Sequence, residues 1–491
     1  LQTNKSWTFV GDLLSAGCDG VDASGRYISV WDTRIPTTRT IGSPLDIATN
    51  ICGNNVTIYW EEVGNTSNNG TLTGLSGTRS NPLMVTGLPH AGVYRLKATI
   101  GNDPSLILYW NNGDHGRLIY LEQWGNAAWK CLNSAFYQAR NMKVLATDIP
   151  NLTQLSDLNP PPYNGPMQGM FSECTSLTMV PSINSWSMPS GVKSIQGMFQ
   201  GATSFNQDLS GWDVSHITDM SNMFQGATSF NSPLLWGSKV SNVTNMGHIF
   251  EGATSFNQDI TGWDVSNVTN MSNMFERATS FNQPIGLWGS KMANVSNYTG
   301  IFQEASSFDQ NLGTWAMKSG CYGDYMFHRS GMGCENYSAT FVGWAAQPFI
   351  PTGHFYAGQE CPLPLNVAGM AAHKELVRRG AYDMDLHYLV PDCKEDFYET
   401  TWSVPNTNTY RDTLTINAIG TNFTVLWEAI DSTQNPPVYT AGIDTAANAS
   451  PGHPYTLQRN AWNKANVPGT VKVKVFPGNG TLTGLYMPGV D

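Results

Sequence analysis

From Phe199 onward, apolar residues return in the same order at a nearly constant step. The phenylalanines that open each turn, Phe199, Phe224, Phe250, Phe275, Phe302 and Phe327, are 25, 26, 25, 27 and 25 residues apart. Between them run near-copies of one phrase, from FQGATSFNQDLSGWDVSHITDM at Phe199 to FERATSFNQPIGLWGSKMANVSN at Phe275. A coil of this length cannot bury its own large side chains, so it must stack on its neighbours as a solenoid. Within VTNMSNMFERATSFN the apolar set Val268, Met271, Met274, Phe275, Ala278 and Phe281 faces inward. The early part of the phrase suits a short strand and ERATSF a helical turn, so like side chains form columns. Ala135-Phe136 and Met170-Phe171 start the stack, with an insertion at the NPPPYNGP loop. At the far end residues 367–381 have helical apolar spacing and read as a capping helix.

Outside the coils the period changes to two. RYISVW, NVTIYW, GVYRLKATI and SLILYW precede them; TTWSV, DTLTI, FTVLWEA and GTVKVKVF follow. Short alternating runs between Gly, Asn and Pro clusters predict β-sandwiches. Gly92–Asp114 aligns without a gap on Gly469–Asp491, which makes the two sandwiches copies of one module. In the first copy Asp114 leads into HGRLIYLEQWG; at the second, Asp491, the expectation is that the natural polypeptide continues, or once continued, into another solenoid. The organisation is therefore mixed β/α: an extension over 1–25, a sandwich over 26–114, a solenoid with its cap over 115–395 and a second sandwich over 396–491.

Two polar columns follow from the repeat. Asn206, Asn231, Asn257 and Asn282 each follow a core phenylalanine, with Asp309 next in line. A column of buried amides would satisfy backbone groups freed by the tight bend, and this structural ladder is preferred to a ligand site. Coils also alternate in kind: Trp212-Asp213 and Trp263-Asp264 against Trp236 with Lys239 and Trp288 with Lys291. Opposite charges on adjacent coils would attract, either as a plain solvated edge or as a docking stripe.

Composition narrows the function. Only 13% of residues are charged, the net charge is -11 and no Lys/Arg run occurs, which argues against nucleic acid and acidic lipid as partners. No stretch is long and apolar enough for a membrane helix. The eight cysteines contain no C-x-x-C pair, so zinc spacing is absent; Cys321 with Cys334 and Cys361 with Cys393 are the disulfides to test, against buried free thiols. Sequons outside the repeat, at Asn4, Asn55, Asn65, Asn69, Asn151, Asn336, Asn422, Asn448 and Asn479, are candidate glycan acceptors. Those at Asn242, Asn267, Asn270, Asn294 and Asn297 fall in the repeat, where a structural role competes.

No P-loop, G-x-S-x-G or H-E-x-x-H motif is present. Glu61-Glu62 after Trp60 could suggest a glycosidase pair, but Trp427-Glu428 repeats the arrangement in the second sandwich, which favours a scaffold role. No cofactor is called for. Asp19 and Asp22 in CDGVDASG could contribute to a calcium site, with a plain turn the preferred reading.

The phrase W-D-V-S-N-V-T-N-M-S-N-M-F-x-x-A-T-S-F-N-Q resembles the 25-residue repeat of bacterial and protist surface proteins, related to the BspA-type leucine-rich repeats and to mycoplasma lipoproteins. The resemblance covers about residues 117–390, including the lead-in RLIYLEQWGNAAWKCLNSAFYQARNM; the sandwiches are broadly similar to PKD-like or immunoglobulin-like modules. It implies a leucine-rich-repeat-like fold and an extracellular role, and it transfers no catalytic residues. Three roles follow: a structural subunit of a surface layer or filament whose partners are copies of itself or other surface proteins; an adhesin binding a host protein or glycan through the solenoid face; and, weakest, a glycan-active enzyme. WTFVG near the start repeats in TFVGW at Thr340–Trp344, so residues 1–25 read either as the remnant of a preceding unit or as a strand lent to a neighbour.

Overall fold

The structure is a computed structural model that describes residues 25–37, 42–78, 83–106, 114–155, 165–347 and 367–378, together with strands between 398 and 481. The chain divides into two compact units, one made mainly of residues 1–310 and 315–331, the other of 311–314, 332–352 and 359–491. Each is taken by itself.

In the first unit the period-two segments form β1 (Tyr27–Asp32), β2 (Ile47–Ala48), β3 (Ile51–Glu62), β4 (Asn65–Gly77), β5 (Met84–Val85), β6 (Val93–Thr99) and β7 (Asn102–Leu106). Two more strands, β8 (Leu118–Gln123) and β9 (Lys143–Val144), lie beyond Asp114. The main sheet runs β4-β3-β6-β1-β8-β9, with β7 on β3, and β2 pairs β5 separately. Trp31, Val56, Ile58, Tyr94 and Leu96 are buried on it, as alternation requires. The boundary expected between residues 114 and 115 thus falls inside one hydrogen-bonded sheet, because β1 pairs β6 on one side and β8 on the other.

The repeat builds a stack of coils on that sheet. Each coil contributes one isolated parallel bridge, in the series Ser194, Asp219, Asn245, Asn270, Asn297 and Tyr322. The short strand expected in each coil is therefore reduced to a bridge, and the rest of the coil is turns. Phe199, Phe224 and Phe250 N–H groups donate to Met223, Ile249 and Met274 carbonyls of the next coil at 2.9, 2.9 and 3.0 Å, while Phe205 N–H turns back to Ala202 within its own. The turns need left-handed residues four apart, such as His248 with Gly252 (φ 59° and 66°) and Asn273 with Arg277 (φ 55° and 57°).

The inward set reads as expected: Val268, Met271, Met274, Phe275, Ala278 and Phe281 are fully buried. Phe136, Phe171, Phe199, Phe224, Phe250, Phe275 and Phe302 stack ring on ring, with centroids 5.4, 5.6, 5.8, 5.7, 5.8 and 5.8 Å apart. A second column, Phe205, Phe230, Phe256 and Phe281, runs beside the first; Phe250 and Phe256 are 3.8 Å apart within their coil. The 35-residue step from Phe136 to Phe171 leaves their contact intact, and the insertion that makes it, 156–164, lies outside the described residues.

The second unit contains α1 (Cys334–Ala345) and α2 (Val367–Arg378), then β10 (Tyr398–Val404), β11 (Thr413–Ile416), β12 (Ile419–Asp431), β13 (Val438–Ala449), β14 (Tyr455–Gln458), β15 (Gly469–Phe476) and β16 (Asn479–Thr481). The helix expected over 367–381 appears as α2 over Val367–Arg378, and residues 379–381 lie outside the described residues. Helix α1 carries TFVGW and escaped the reading by repeats. It packs closely on residues 311–314: Gly343 and Gly313 approach so nearly that a Cβ on Gly313 would lie 2.9 Å from Gly343 Cα.

The two sheets are built alike. Strands run β13-β12-β15-β10 where the first sheet runs β4-β3-β6-β1, and β11-β14 stands where β2-β5 does. Tyr27↔Ala98, Trp31↔Tyr94, Trp60↔Leu96 and Glu61↔Arg95 in the first correspond to Tyr398↔Val475, Trp402↔Val471, Trp427↔Val473 and Glu428↔Lys472 in the second. The register agrees with the gapless alignment at every one of these positions.

Candidate interaction surfaces

The repeated polar residues are largely spent on joining coils. Trp212, Trp236, Trp263, Trp288 and Trp315 are buried, and each indole N–H donates to a carbonyl of the preceding coil: Ile183 at 2.6 Å, Leu209 at 3.0, Leu234 at 3.1, Ile260 at 3.2 and Ile285 at 2.9. In the second unit Trp344 of α1 makes the same bond to Leu312, at 2.9 Å. A buried indole needs such an acceptor, and the carbonyl needs the donor. The tryptophans are thus core, and adhesive tryptophans on loops are not found among them. The shared spacing of Trp315 and Trp344 was the signal that could have disclosed α1.

The asparagine ladder forms, but on the surface. Asn206, Asn231, Asn257 and Asn282 accept, through Oδ1, the backbone N–H of Asn231, Asn257, Asn282 and Asp309 at 2.8, 2.9, 2.9 and 2.9 Å. Gln258, Gln283 and Gln310 donate to the same oxygens. Asn206, Asn257 and Asn282 are exposed and Asn231 is half-buried, so the expected burial is corrected: the phenylalanine before each one points inward and turns the next side chain out.

Lys239 and Lys291 donate to the carbonyls of Trp212 and Trp263 at 3.3 and 3.1 Å. Asp213 and Asp264 cap their own turns, accepting Ser215 and Ser266 N–H at 3.1 and 3.2 Å. Both carboxyls sit below their ordinary range, chiefly through the hydrogen bonds from Ser215 and Ser266, with the neighbouring lysine the smallest contribution. The alternation is local capping more than attraction between coils.

Repeat sequons are structural in the same way. Asn242, Asn267 and Asn294 give their amide N–H to the carbonyls of Ser215, Ser241 and Ser266 at 2.6, 2.7 and 2.7 Å; Asn270 donates to Asn245, and Asn297 accepts from Thr299 N–H. Of the other candidate acceptors, Asn55, Asn65 and Asn69 are exposed, although the Asn69 amide bonds to Thr66. Asn151 and Asn336 are half-buried, and Asn151 Oδ1 accepts the Thr153 hydroxyl at 2.7 Å. Asn422, Asn448 and Asn479 are on β12, β13 and β16; Asn4 lies outside the described residues.

Cysteine pairing needs correction. Cys321 is a buried free thiol, pushed up to about 12 by burial, so it does not pair with Cys334. Cys334 is disulfide-bonded, to a residue outside the described ones. Cys361, Cys393, Asp19 and Asp22 also lie outside the described residues. Among the described residues no group of His, Cys, Asp and Glu gathers as a metal site.

The Glu61-Glu62 pair is tied into the first sheet. Glu61 meets Arg95 at 3.2 Å and Lys97 at 3.0 Å, Arg95 also holds Glu122 at 2.6 Å, and Glu62 accepts from Asn68 at 2.6 Å. Burial pushes the Glu61 carboxyl up, and Lys97 and Arg95 together bring it below its ordinary value. A second ionic node, missed from sequence, ties the chain leaving the module back to the loops beside its sheet. Arg117, almost fully buried, faces Asp114 at 3.4 Å and donates to the carbonyls of Ile35 and Pro44, each at 2.8 Å, while Asp114 accepts Ala48 N–H at 2.7 Å. The D-H-G-R spelling after the module was its only trace.

Among the described residues the exposed large apolar side chains are few. Leu235 and Leu287, 71% and 72% exposed, occupy matching places two coils apart, and Tyr322 and Tyr325, 55% and 41% exposed, lie near the last coils. No helix among the described residues is long and apolar enough to cross a membrane.

No curated protein and no solved structure matches the chain. Residues 165–238 and 235–339 match, as two overlapping segments, a family described as Mycoplasma protein of unknown function, DUF285. At that level the match agrees with the mycoplasma resemblance read from the repeated phrase. The two matched segments together cover the coils between residues 165 and 339.

Proposed function

We propose that the chain is a non-enzymatic extracellular structural protein, a subunit of a cell-surface layer or filament, in which a leucine-rich-repeat-like solenoid is flanked by two immunoglobulin- or PKD-like sandwiches. The observation that carries this reading is the duplicated sheet: two modules with one strand order and one register bracket a run of near-identical coils. Repetition of whole modules serves extension and regular spacing, and the chemistry repeated from coil to coil is hydrogen bonding between coils. In the one carboxylate pair that invited catalysis, Glu61 is ion-paired with Arg95 and Lys97 and Glu62 is hydrogen-bonded by Asn68, all scaffold residues of the sheet.

A second reading, an adhesin acting through the solenoid face, draws on Leu235, Leu287, Tyr322 and Tyr325, which with Ile149 and Met179 are exposed on coils whose repeated apolar set is buried. Electron microscopy of native cell-surface material distinguishes them. An ordered array or fibre at a regular repeat, labelled by antibody to this chain, supports the structural role. Saturable glycan or host-protein binding by isolated monomer, lost on replacing Tyr322 and Tyr325, supports the adhesin.

A further inference from the structure

One edge of the stack alternates in two ways at once. The residue before each buried tryptophan is Gly211, Leu235, Gly262 and Leu287 in successive coils, and all four are exposed, the leucines by 71% and 72%. Gly262 leaves open space between the two leucines, since a Cβ there would meet no atom within 4 Å beyond its chain neighbours. The charges beside the same tryptophans run Asp213, Lys239, Asp264 and Lys291. Lys239 reaches the Trp212 carbonyl and Lys291 that of Trp263, while the Asp264 N–H donates to Gly237 O at 3.1 Å, so the four form one column along the stack. Asp213 is exposed and the other three are half-buried. We infer that this edge pairs with the same edge of a second copy of the chain, antiparallel, about a two-fold axis passing between the coils of Leu235 and Gly262.

Both alternations select that arrangement. A two-fold contact needs a patch that complements itself. Turning the edge over about this axis sets Leu235 opposite Gly262, Leu287 opposite Gly211, Lys239 opposite Asp264 and Lys291 opposite Asp213, each pair made twice. An axis through either coil, or one running along the stack, would instead set leucine on leucine and like charge on like charge, which costs affinity. A leucine seated in the space at Gly262 leaves water, and the attraction comes from there. The ion pairs, at the rim, set direction and register. The outer position is shallower, because Asn184 Oδ1 lies beside Gly211 and accepts its N–H at 2.9 Å. Four coils at about 5 Å each make a contact only about 20 Å long, smaller than the roughly 800 Å² per partner of a standard interface. Pairing is therefore weak in dilute solution and is reinforced where many copies are held together. The inference deepens the structural reading by naming one contact between subunits; pairing in solution without an array on cells would retain the contact and reject that reading.

Sedimentation equilibrium of the whole chain, up to about 500 µM to reach a weak association, should show a reversible monomer–dimer equilibrium. Its dissociation constant should rise at least tenfold when Leu235→Ser and Leu287→Ser are combined, and should rise with salt as the ion pairs are screened. Both leucines are exposed, so the urea midpoint of the double variant should not move. Under mild oxidation, mixed Leu235→Cys and Gly262→Cys chains should form the 235–262 disulfide, located by mass spectrometry, at least tenfold faster than Leu287→Cys chains pair with themselves. A chain that stays monomeric over this range overturns the inference. So does a dimer that the two serines leave intact, which would lie on another surface, and so does faster pairing of Leu287→Cys with itself, which would put like residues together.

Discussion

Replacing Trp263 by Phe asks whether the coils are joined from within. Trp263 is 1% exposed, its ring lies 5.6 Å from that of Trp236, and its N–H donates 3.1 Å to the Leu234 carbonyl in the preceding coil. Phenylalanine removes the donor and shortens the ring. A buried carbonyl left without its donor costs about 1–3 kcal/mol. The space vacated beside Trp236 and Phe250 adds about 1 kcal/mol, as for a small loss of core volume. The variant should lose about 2–4 kcal/mol, seen as a lower urea midpoint. Because coils couple mainly to their neighbours, native-state hydrogen exchange should quicken most at the Phe224 and Phe275 amides, on the coils flanking the change. The matched control, Asn257→Ala, deletes an exposed ladder bond. If Trp263→Phe proves no more destabilising than Asn257→Ala, the tryptophan column is not what joins the coils.

The remaining expectations are briefer. Asn257→Ala itself should cost about 0.5–1.5 kcal/mol by urea denaturation, since water can replace the amide at an exposed edge. Gly313→Ala should cost about 1–3 kcal/mol, read as a fall in melting temperature, because its Cβ would sit 2.8 Å from Ala339 O and 2.9 Å from Gly343 Cα. Glu61 is held below its ordinary value by Lys97 and Arg95, so its contribution is present above the ordinary carboxylate range and is lost as pH falls through the lowered one; Glu61→Gln should flatten the acid limb of a stability–pH profile. Cys321, raised by burial, should resist maleimide at pH 8 in the folded chain and react once urea unfolds it.

The interior of the stack was legible because a side chain facing inward must recur at the coil period. Phe275, Met271 and Ala278 announced their burial that way, and so did the match between Gly92–Asp114 and Gly469–Asp491 announce a shared register. Period alone does not say which side of the coil a recurring polar residue occupies. Asn257 recurs as faithfully as Phe256 and yet faces water, because a backbone cap at a solvent edge is as exacting as a core contact. Residues used once leave no such pattern: Arg117 is buried by carbonyls brought from residues 33 to 46, and nothing in its local sequence announces that convergence. Helix α1 escaped for a related reason, since it meets the Trp-to-carbonyl bond of the coils with a different backbone.

The Arg117 node explains why sheet and stack need no flexible joint in the first unit. A buried guanidinium is tolerated only when its donors are met, and here the acceptors come from the loop after β1 and the segment before β2, while its anion comes from the chain just leaving the module. Fixing Arg117 therefore fixes where the chain departs, and β8 must then run beside β1 before the coils begin. The first coils inherit their direction from the sheet: β9 pairs β8 in parallel, Tyr120 with Lys143 and Leu121 with Val144, the sense in which every later coil bridges the next. The module thus works as the template for the stack's first parallel pairing, which is the step an isolated coil, too small to hold its own core, is least able to make.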